Sequence, residues 1–301
     1  MIRKMTIIYS SVSSFCCRFL FLFSFFLITI NIDAQVIEGS SDKIKLNISK
    51  GENEKQKDIF ENPNDIKYYA LLIAINDYID PDIPQLFEPL NDASKLYDIL
   101  TRTYTFNKSN TLLLKNPTRE QIINSFDSLR KVITQYDNLF IYYAGHGLYD
   151  KESEVGYWLP SDAKLKNRAS WLFNSTLVDC IKSIKSKHTL LISDACFSGS
   201  IILRDVGMFD NANQSVKKLY AFNSRKAMTS GNLETVMDKS PFNKYLVESL
   251  SDNTKQYLNA NELYVNLREA VMNATPNAQN PQFGIIIGTG DKGGEFIFMR
   301  R

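Results

Sequence analysis

"LLISDACFSGS", residues 190–200, changes character halfway along. Leu190, Leu191 and Ile192 belong in the interior of a sheet, yet within a few residues the run reaches an acid, a small residue and a cysteine. "LFIYYAGHGLYD", residues 139–150, has the same grammar with a histidine in place of the cysteine. Both read as buried strands whose carboxyl ends carry chemistry. Gly145 and Gly147 flank the histidine and Ser198-Gly199 follow the cysteine, which leaves room for a substrate backbone.

Outward from these two stretches, short apolar runs alternate with longer helical patterns. The strand candidates are residues 68–75, 111–115, 139–144, 188–195 and 226–230, with a last pair at 283–288 and 295–300. Helical patterns occupy residues 91–104, 118–133, 174–187, 241–252 and 260–273, several opening on Asn, Ser or Thr where a cap is needed. Nearly continuous apolar strands alternating with helices predict a single three-layer α/β domain over residues 67–301, a mostly parallel central sheet with helices on both faces.

The chain begins differently. Arg3 and Lys4 precede the charge-free run 19–30, about a dozen residues and too short to favour a membrane span, and Ala34 offers a small residue for cleavage. Residues 1–34 therefore read as a secretory signal, and a secreted or periplasmic protein with no stable membrane association is expected. An uncleaved signal anchor, left in the membrane, is the alternative. Residues 35–66 are polar and dense in Lys, Glu, Asn and Asp, the composition of a flexible leader or pro-segment. Residues 1–34 hold Arg3, Lys4, Arg18 and Asp33; without them the 35 basic and 33 acidic residues of the chain become 32 and 32. A neutral chain has no basic excess to neutralise phosphates, which argues against nucleic acid as a partner. Two cysteines remain, Cys180 and Cys196, too few for a disulfide scaffold. Cys180 lies in a helical pattern and reads as small apolar filler.

Cys196 needs another explanation. In an open α/β sheet, chemistry gathers beyond the carboxyl ends of the strands, where both His146 and Cys196 are expected. An imidazole within hydrogen-bond reach can take the thiol proton and later return it to a leaving amine. The backbone N–H groups of Gly147 and Cys196 are the candidate oxyanion donors, worth roughly 3 kcal/mol each. His188 begins the strand that Cys196 ends, so roughly 26 Å of extended chain separates them. It reads as a surface or strand-start histidine.

"YYAGHG" and "DACFSG" resemble the two catalytic motifs of the caspase-like cysteine peptidases, nearest their metacaspase and bacterial branch. The family pairs its cysteine with a histidine about 50 residues upstream; residues 146 and 196 are 50 apart. "YYALLIAINDY", "LNDASKL", "YWLPSDA", "RKAMTSG" and "GGEFIF" extend the resemblance over most of the chain. The resemblance implies a cysteine endopeptidase acting on protein or peptide substrates. Caspases with Gln two residues before the cysteine cut after aspartate, whereas this chain has Asp194 there, as metacaspases do. Ile192, Asp194 and Cys196 share one strand face, so a carboxylate beside the nucleophile predicts substrates with Arg or Lys at the cleavage point. Asp92 in "LNDASKL" matches the family's second pocket acid, with a helix N-cap as the rival reading. Phe197 replaces the histidine common after the metacaspase cysteine. A catalytically silent binding or scaffold module is the alternative function; both His146 and Cys196 are retained, which speaks against it.

No cofactor and no metal ligand are expected. Calcium activates many metacaspases, but the acidic loop 149–154 lacks the ligand spacing of a calcium site. "GTGDKG", residues 288–293, is followed by a strand pattern instead of a helix, so a hairpin turn is expected there and not a dinucleotide site. A flavodoxin-like nucleotide domain fails at "INDYIDPDIPQL", which is acidic and has no glycine. Between Cys196 and the strand at 226–230 lies a stretch of about thirty residues with the polar centre "DNANQSVKK"; Lys217 and Lys218 are the expected self-processing points on an exposed loop. A monomer is expected.

Overall fold

The computed structural model describes residues 66–195, 201–204, 216–231, 239–275 and 279–301. The expected signal (1–34), almost all of the leader (35–66) and Cys196 lie outside the described residues.

In chain order the elements are β1 (Tyr68–Ala74), α1 (Pro89–Thr103), β2 (Phe106–Lys115), α2 (Arg119–Val132), β3 (Asn138–Ala144), β4 (Gly147–Asp150), β5 (Val155–Trp158), β6 (Leu172–Phe173), α3 (Asn174–Ser183), β7 (His188–Asp194), β8 (Ile202–Arg204), α4 (Val216–Ala221), β9 (Ser224–Thr229), α5 (Pro241–Ser251), β10 (Tyr257–Asn259), α6 (Ala260–Ala274), β11 (Gln282–Ile286) and β12 (Ile297–Met299). The central sheet runs β2-β1-β3-β7-β9-β11-β8. Its first five strands are parallel neighbours, and β11 and β8 close one side antiparallel. This is the mostly parallel α/β architecture that the alternation predicts.

Every residue of β1, β3 and β7 is buried, because helices cover both faces. On one face Ala70, Leu72, Phe140, Tyr142, Leu190 and Ile192 pack against α1, α5 and α6; on the other Leu71, Ile73, Ile141, Tyr143 and Leu191 pack against α2 and α3. Successive residues of one strand thus feed two cores, which explains runs that are apolar without alternation. Each fully buried Leu or Ile contributes on the order of 2 kcal/mol. Thr118 and Gln121 form a reciprocal capping box that starts α2 where "TREQ" places it.

Three expectations require correction. The segment 288–293 turns, with Gly288, Gly290 and Gly293 all at positive φ, but it does not close a hairpin. The strands it joins lie in different sheets, β11 beside β9 and β12 beside β10. Lys292 and Gly294 both donate to the Asn223 carbonyl, which redirects the chain across β9. His188 does begin a strand, but it is wholly buried instead of lying at the surface. Its ring nitrogens face Asn138 Oδ1 at 2.6 Å and the Phe222 carbonyl at 3.0 Å, and burial pushes its pKa down to about 3. Finally, the long connection after Cys196 is not loop throughout. Residues 202–204 form β8 along the free edge of β11, and Lys217 and Lys218 fall within α4.

Candidate functional site

The chain steps from β1 to β2 on one side and later to β3 on the other, so β1 and β3 bracket the point where strand order reverses. Segments leaving two such strands diverge and open a crevice at their carboxyl ends. After β1 comes the loop 75–88, and after β3 come Gly145, His146 and Gly147.

His146 is held from several directions across that crevice. Its Nε2 lies 2.9 Å from the Pro84 carbonyl, which can only accept, so the neutral ring carries its proton on Nε2 and its lone pair on Nδ1. The His146 backbone N–H donates to the Tyr78 hydroxyl at 2.7 Å, and the Tyr143 hydroxyl donates to the His146 carbonyl at 2.7 Å. Tyr78 also lays its ring beside the imidazole, centroids 5.0 Å apart. A Cβ on Gly145 would come within 2.9 Å of the Tyr143 hydroxyl and 3.0 Å of that of Tyr78, so glycine is needed for this close approach. Gly147 begins β4 opposite Trp158, whose ring stacks on Tyr143 at 4.0 Å.

The register of β3 against β7 gives the spacing of the two motifs a physical meaning. Asn138 pairs with His188 and Ala144 with Asp194, an offset of 50 at every step. His146 lies two residues beyond Ala144, and position 196 is likewise two beyond Asp194.

Asp194 ends β7 with its carboxyl buried, accepting a hydrogen bond from the Ser240 hydroxyl at 3.0 Å. Ser240 in turn caps α5. Burial pushes Asp194 up to about 7, against the pull of Ser240 and with a further rise from Asp92. Asp92 is not the N-cap of α1. Glu88 holds that place and Pro89 starts the helix, leaving Asp92 within the first turn and facing inward. Burial and the nearby Glu88 raise Asp92 to about 6, opposed by Lys95, whose Nζ lies 3.6 Å away. Asn243 connects the group: its Oδ1 accepts from Tyr142 at 2.9 Å, and its side chain also hydrogen-bonds Asp92. Asp92, Lys95, Ser240, Asn243 and Lys244 line an open cavity of about 480 Å³. The two expected pocket acids therefore belong to one electrostatically coupled cluster.

The carboxylate of Asp150 is spent within its own hairpin, accepting from the N–H groups of Glu152 and Ser153 and pairing with Arg168 at 3.0 Å. Among the described residues no three His, Cys, Asp or Glu side chains converge as they would to hold a metal. Cys180 is half-buried, with its thiol pKa raised chiefly by burial. The sequence reading missed Pro84, Tyr78, Ser240 and Asn243. Only Ser240 carried a local signal, a serine before Pro241 at a helix start.

The Caspase domain family model matches residues 67–285. Among solved structures, protein GSU0716 from Geobacter sulfurreducens aligns with a TM-score of 0.53 at 17% identity, over 78% of this chain and 97% of that one. Caspase-1 from Spodoptera frugiperda aligns with a TM-score of 0.52 at 12% identity, over 73% and 87%. No curated protein sequence matches. Both structural likenesses concern the fold, and the family match spans most of the chain: it belongs to the caspase-domain family of cysteine peptidases.

Proposed function

We propose that the protein is an exported endopeptidase of the metacaspase-like kind that cleaves after Arg or Lys, with Cys196 as nucleophile and His146 as base. The observation that carries this reading is the contact of His146 Nε2 with the Pro84 carbonyl at 2.9 Å. With Nε2–H donated to Pro84, Nδ1 is the nitrogen that would take the thiol proton. The thiolate then attacks the scissile carbonyl, and the Gly147 and Cys196 N–H groups receive the oxyanion. The imidazolium returns its proton to the leaving amine, and water hydrolyses the thioester with His146 again as base. No metal or cofactor enters these steps.

The coupled acids support the preference for basic residues. A guanidinium or ammonium entering the cavity offsets the mutual repulsion of Asp92 and Asp194 and can replace Lys95 as the partner of Asp92. An acidic side chain would join the carboxyl groups of Asp92, Glu88 and Glu248, which share the cavity with Lys95, Lys239 and Lys244. We read the protein as a secreted or periplasmic monomer that binds no nucleic acid.

The test is hydrolysis of fluorogenic peptides ending in Arg, Lys or Asp by the purified protein, beside Cys196→Ala and Asp194→Asn. Cleavage after Arg and Lys is expected, lost in Cys196→Ala and reduced on the order of a hundredfold in Asp194→Asn, as befits a buried charge-assisted contact. Preference for Asp-terminated peptides would overturn the pocket assignment, and undiminished turnover by Cys196→Ala would overturn the peptidase reading.

A further inference from the structure

We propose that Tyr78 is a positioning residue for His146, acting with Tyr143 as a bracket on both polar groups of the histidine's peptide backbone; this rests on the peptidase reading above. His146 follows a glycine and precedes another, so its local chain has little stiffness of its own. The structure supplies that stiffness from outside. The Tyr78 hydroxyl accepts the His146 N–H and the Tyr143 hydroxyl donates to its carbonyl, both at 2.7 Å. Tyr78 is buried, and its ring lies against the imidazole, limiting the swing that would carry Nε2 away from Pro84.

Tyr78 is itself anchored. Gln85 clamps its peptide from both sides, with the Tyr78 N–H donating to Gln85 Oε1 at 2.7 Å and Gln85 Nε2 donating to the Tyr78 carbonyl at 2.9 Å. One residue before Gln85 stands Pro84, so a single clamp fixes both contacts of the loop with His146. The base of the loop is tied by Asn116, at φ 49°, whose Oδ1 accepts from the N–H groups of Asn76 and Asp77 at 2.8 and 3.1 Å. Asn76 in turn accepts from Leu90 at the start of α1. The loop is thus a rigid arm from the end of β1 to the histidine. An imidazole held this way is preorganised for proton transfer, and misplacement on the scale of 1 Å is enough to cost up to a hundredfold in rate.

The experiment compares the full chain with Tyr78→Phe, which keeps the ring and removes the hydroxyl, and with Gln85→Ala, which loosens the loop without touching His146. Two readouts are taken: kcat and KM on an Arg-terminated peptide, and the pH dependence of Cys196 alkylation by iodoacetamide, followed at that residue by peptide mass spectrometry. Both variants are expected to lower kcat about tenfold with KM within about twofold. Alkylation at pH 6 should fall severalfold, because a misplaced imidazole stabilises the thiolate less. A residue with a purely structural role would lower the melting temperature and leave the kcat-to-KM split and the alkylation profile alone. Wild-type kcat together with a wild-type alkylation profile in Tyr78→Phe and Gln85→Ala overturns the proposal. If the wild type cleaves no peptide, the peptidase reading fails separately, and the alkylation comparison still decides the role of Tyr78.

Discussion

Asp194 is a buried carboxyl group that accepts from the Ser240 hydroxyl at 3.0 Å and has a second raised acid nearby, and burial outweighs its hydrogen bonds, so the fold opposes its ionisation. In the unfolded chain the group ionises near its ordinary 3.8; in the folded protein it does so at about 7. Between those values the folded state holds a proton that the unfolded state has released. Stability is therefore fully present below about pH 4 and falls as pH rises toward 7. At 1.36 kcal/mol per pH unit, the loss over that window is on the order of 4 kcal/mol. Asparagine keeps an acceptor for Ser240 but buries an amide N–H₂ without an assured partner, a pH-independent cost of roughly 1 to 3 kcal/mol. Asp194→Asn should therefore be less stable than the parent near pH 4.5 and more stable at pH 8. Glu295, raised to about 7 by burial, titrates in both proteins and cancels in the difference. Urea unfolding followed by fluorescence of Trp158 and Trp171 from pH 4.5 to 8.5, both proteins carrying Cys196→Ala, measures that difference. A stability difference flat to within about 1 kcal/mol across this range would refute the reasoning.

Three further predictions concern separate parts of the molecule. Cys196→Ala and His146→Ala should each abolish peptide hydrolysis, and because the pair acts as a unit the double variant should be hardly slower than either, as progress curves at high enzyme concentration will show. Incubated under active conditions, the wild type should yield fragments ending at Lys217 or Lys218 while Cys196→Ala stays whole; equal intact masses would remove self-processing. Since both lysines lie within α4, cleavage requires that short helix to open first. Gly294→Ala would place a Cβ 1.9 Å from the Phe222 carbonyl oxygen, against the backbone of Phe222 and Asn223, and should cost more than about 3 kcal/mol, read as a fall in the denaturation midpoint.

What the sequence made legible followed from how much chain each feature uses. β1, β3 and β7 are seven-residue strands buried on both faces, and their unbroken apolar runs stand out. The three-stranded sheet β4-β5-β6 and the strand β10 use two to four residues each, too short to display a period, whereas β12 falls inside the apolar run 295–300. The two-residue period puts Asp194 on the Ile192 face of β7, the side that carries α5 and Ser240. Asp92 stayed ambiguous between pocket and cap, because the deciding fact, that α1 begins at Pro89, turns on where a helix starts. Tyr78 and Pro84 were beyond reach. Each touches His146 across more than sixty residues of sequence, through a hydroxyl or a carbonyl that any tyrosine or proline possesses.

The two histidines show why strand polarity, more than residue type, assigns roles here. His188 pairs with Asn138 at the start of the β3–β7 ladder, while His146 stands just past its other end. At the starting edge the connections are short and packed, and both nitrogens of His188 are engaged by Asn138 and Phe222 beneath the ring of Tyr220. Protonation there would place a cation among buried groups, hence a pKa near 3 and no part in proton transfer at neutral pH. At the finishing edge the parallel strands all release their chains on the same side. There the loop after β1 meets the histidine after β3, and the acid at the end of β7 meets the capping serine before α5, although each comes from a different part of the sequence. The separation of 50 between the motifs is the length of chain that happens to fill the interval between the two strand ends. What the arrangement requires is that Ala144 stand beside Asp194; the β4–β6 hairpins and α3, which fill the interval, could lengthen or shorten without moving either strand end.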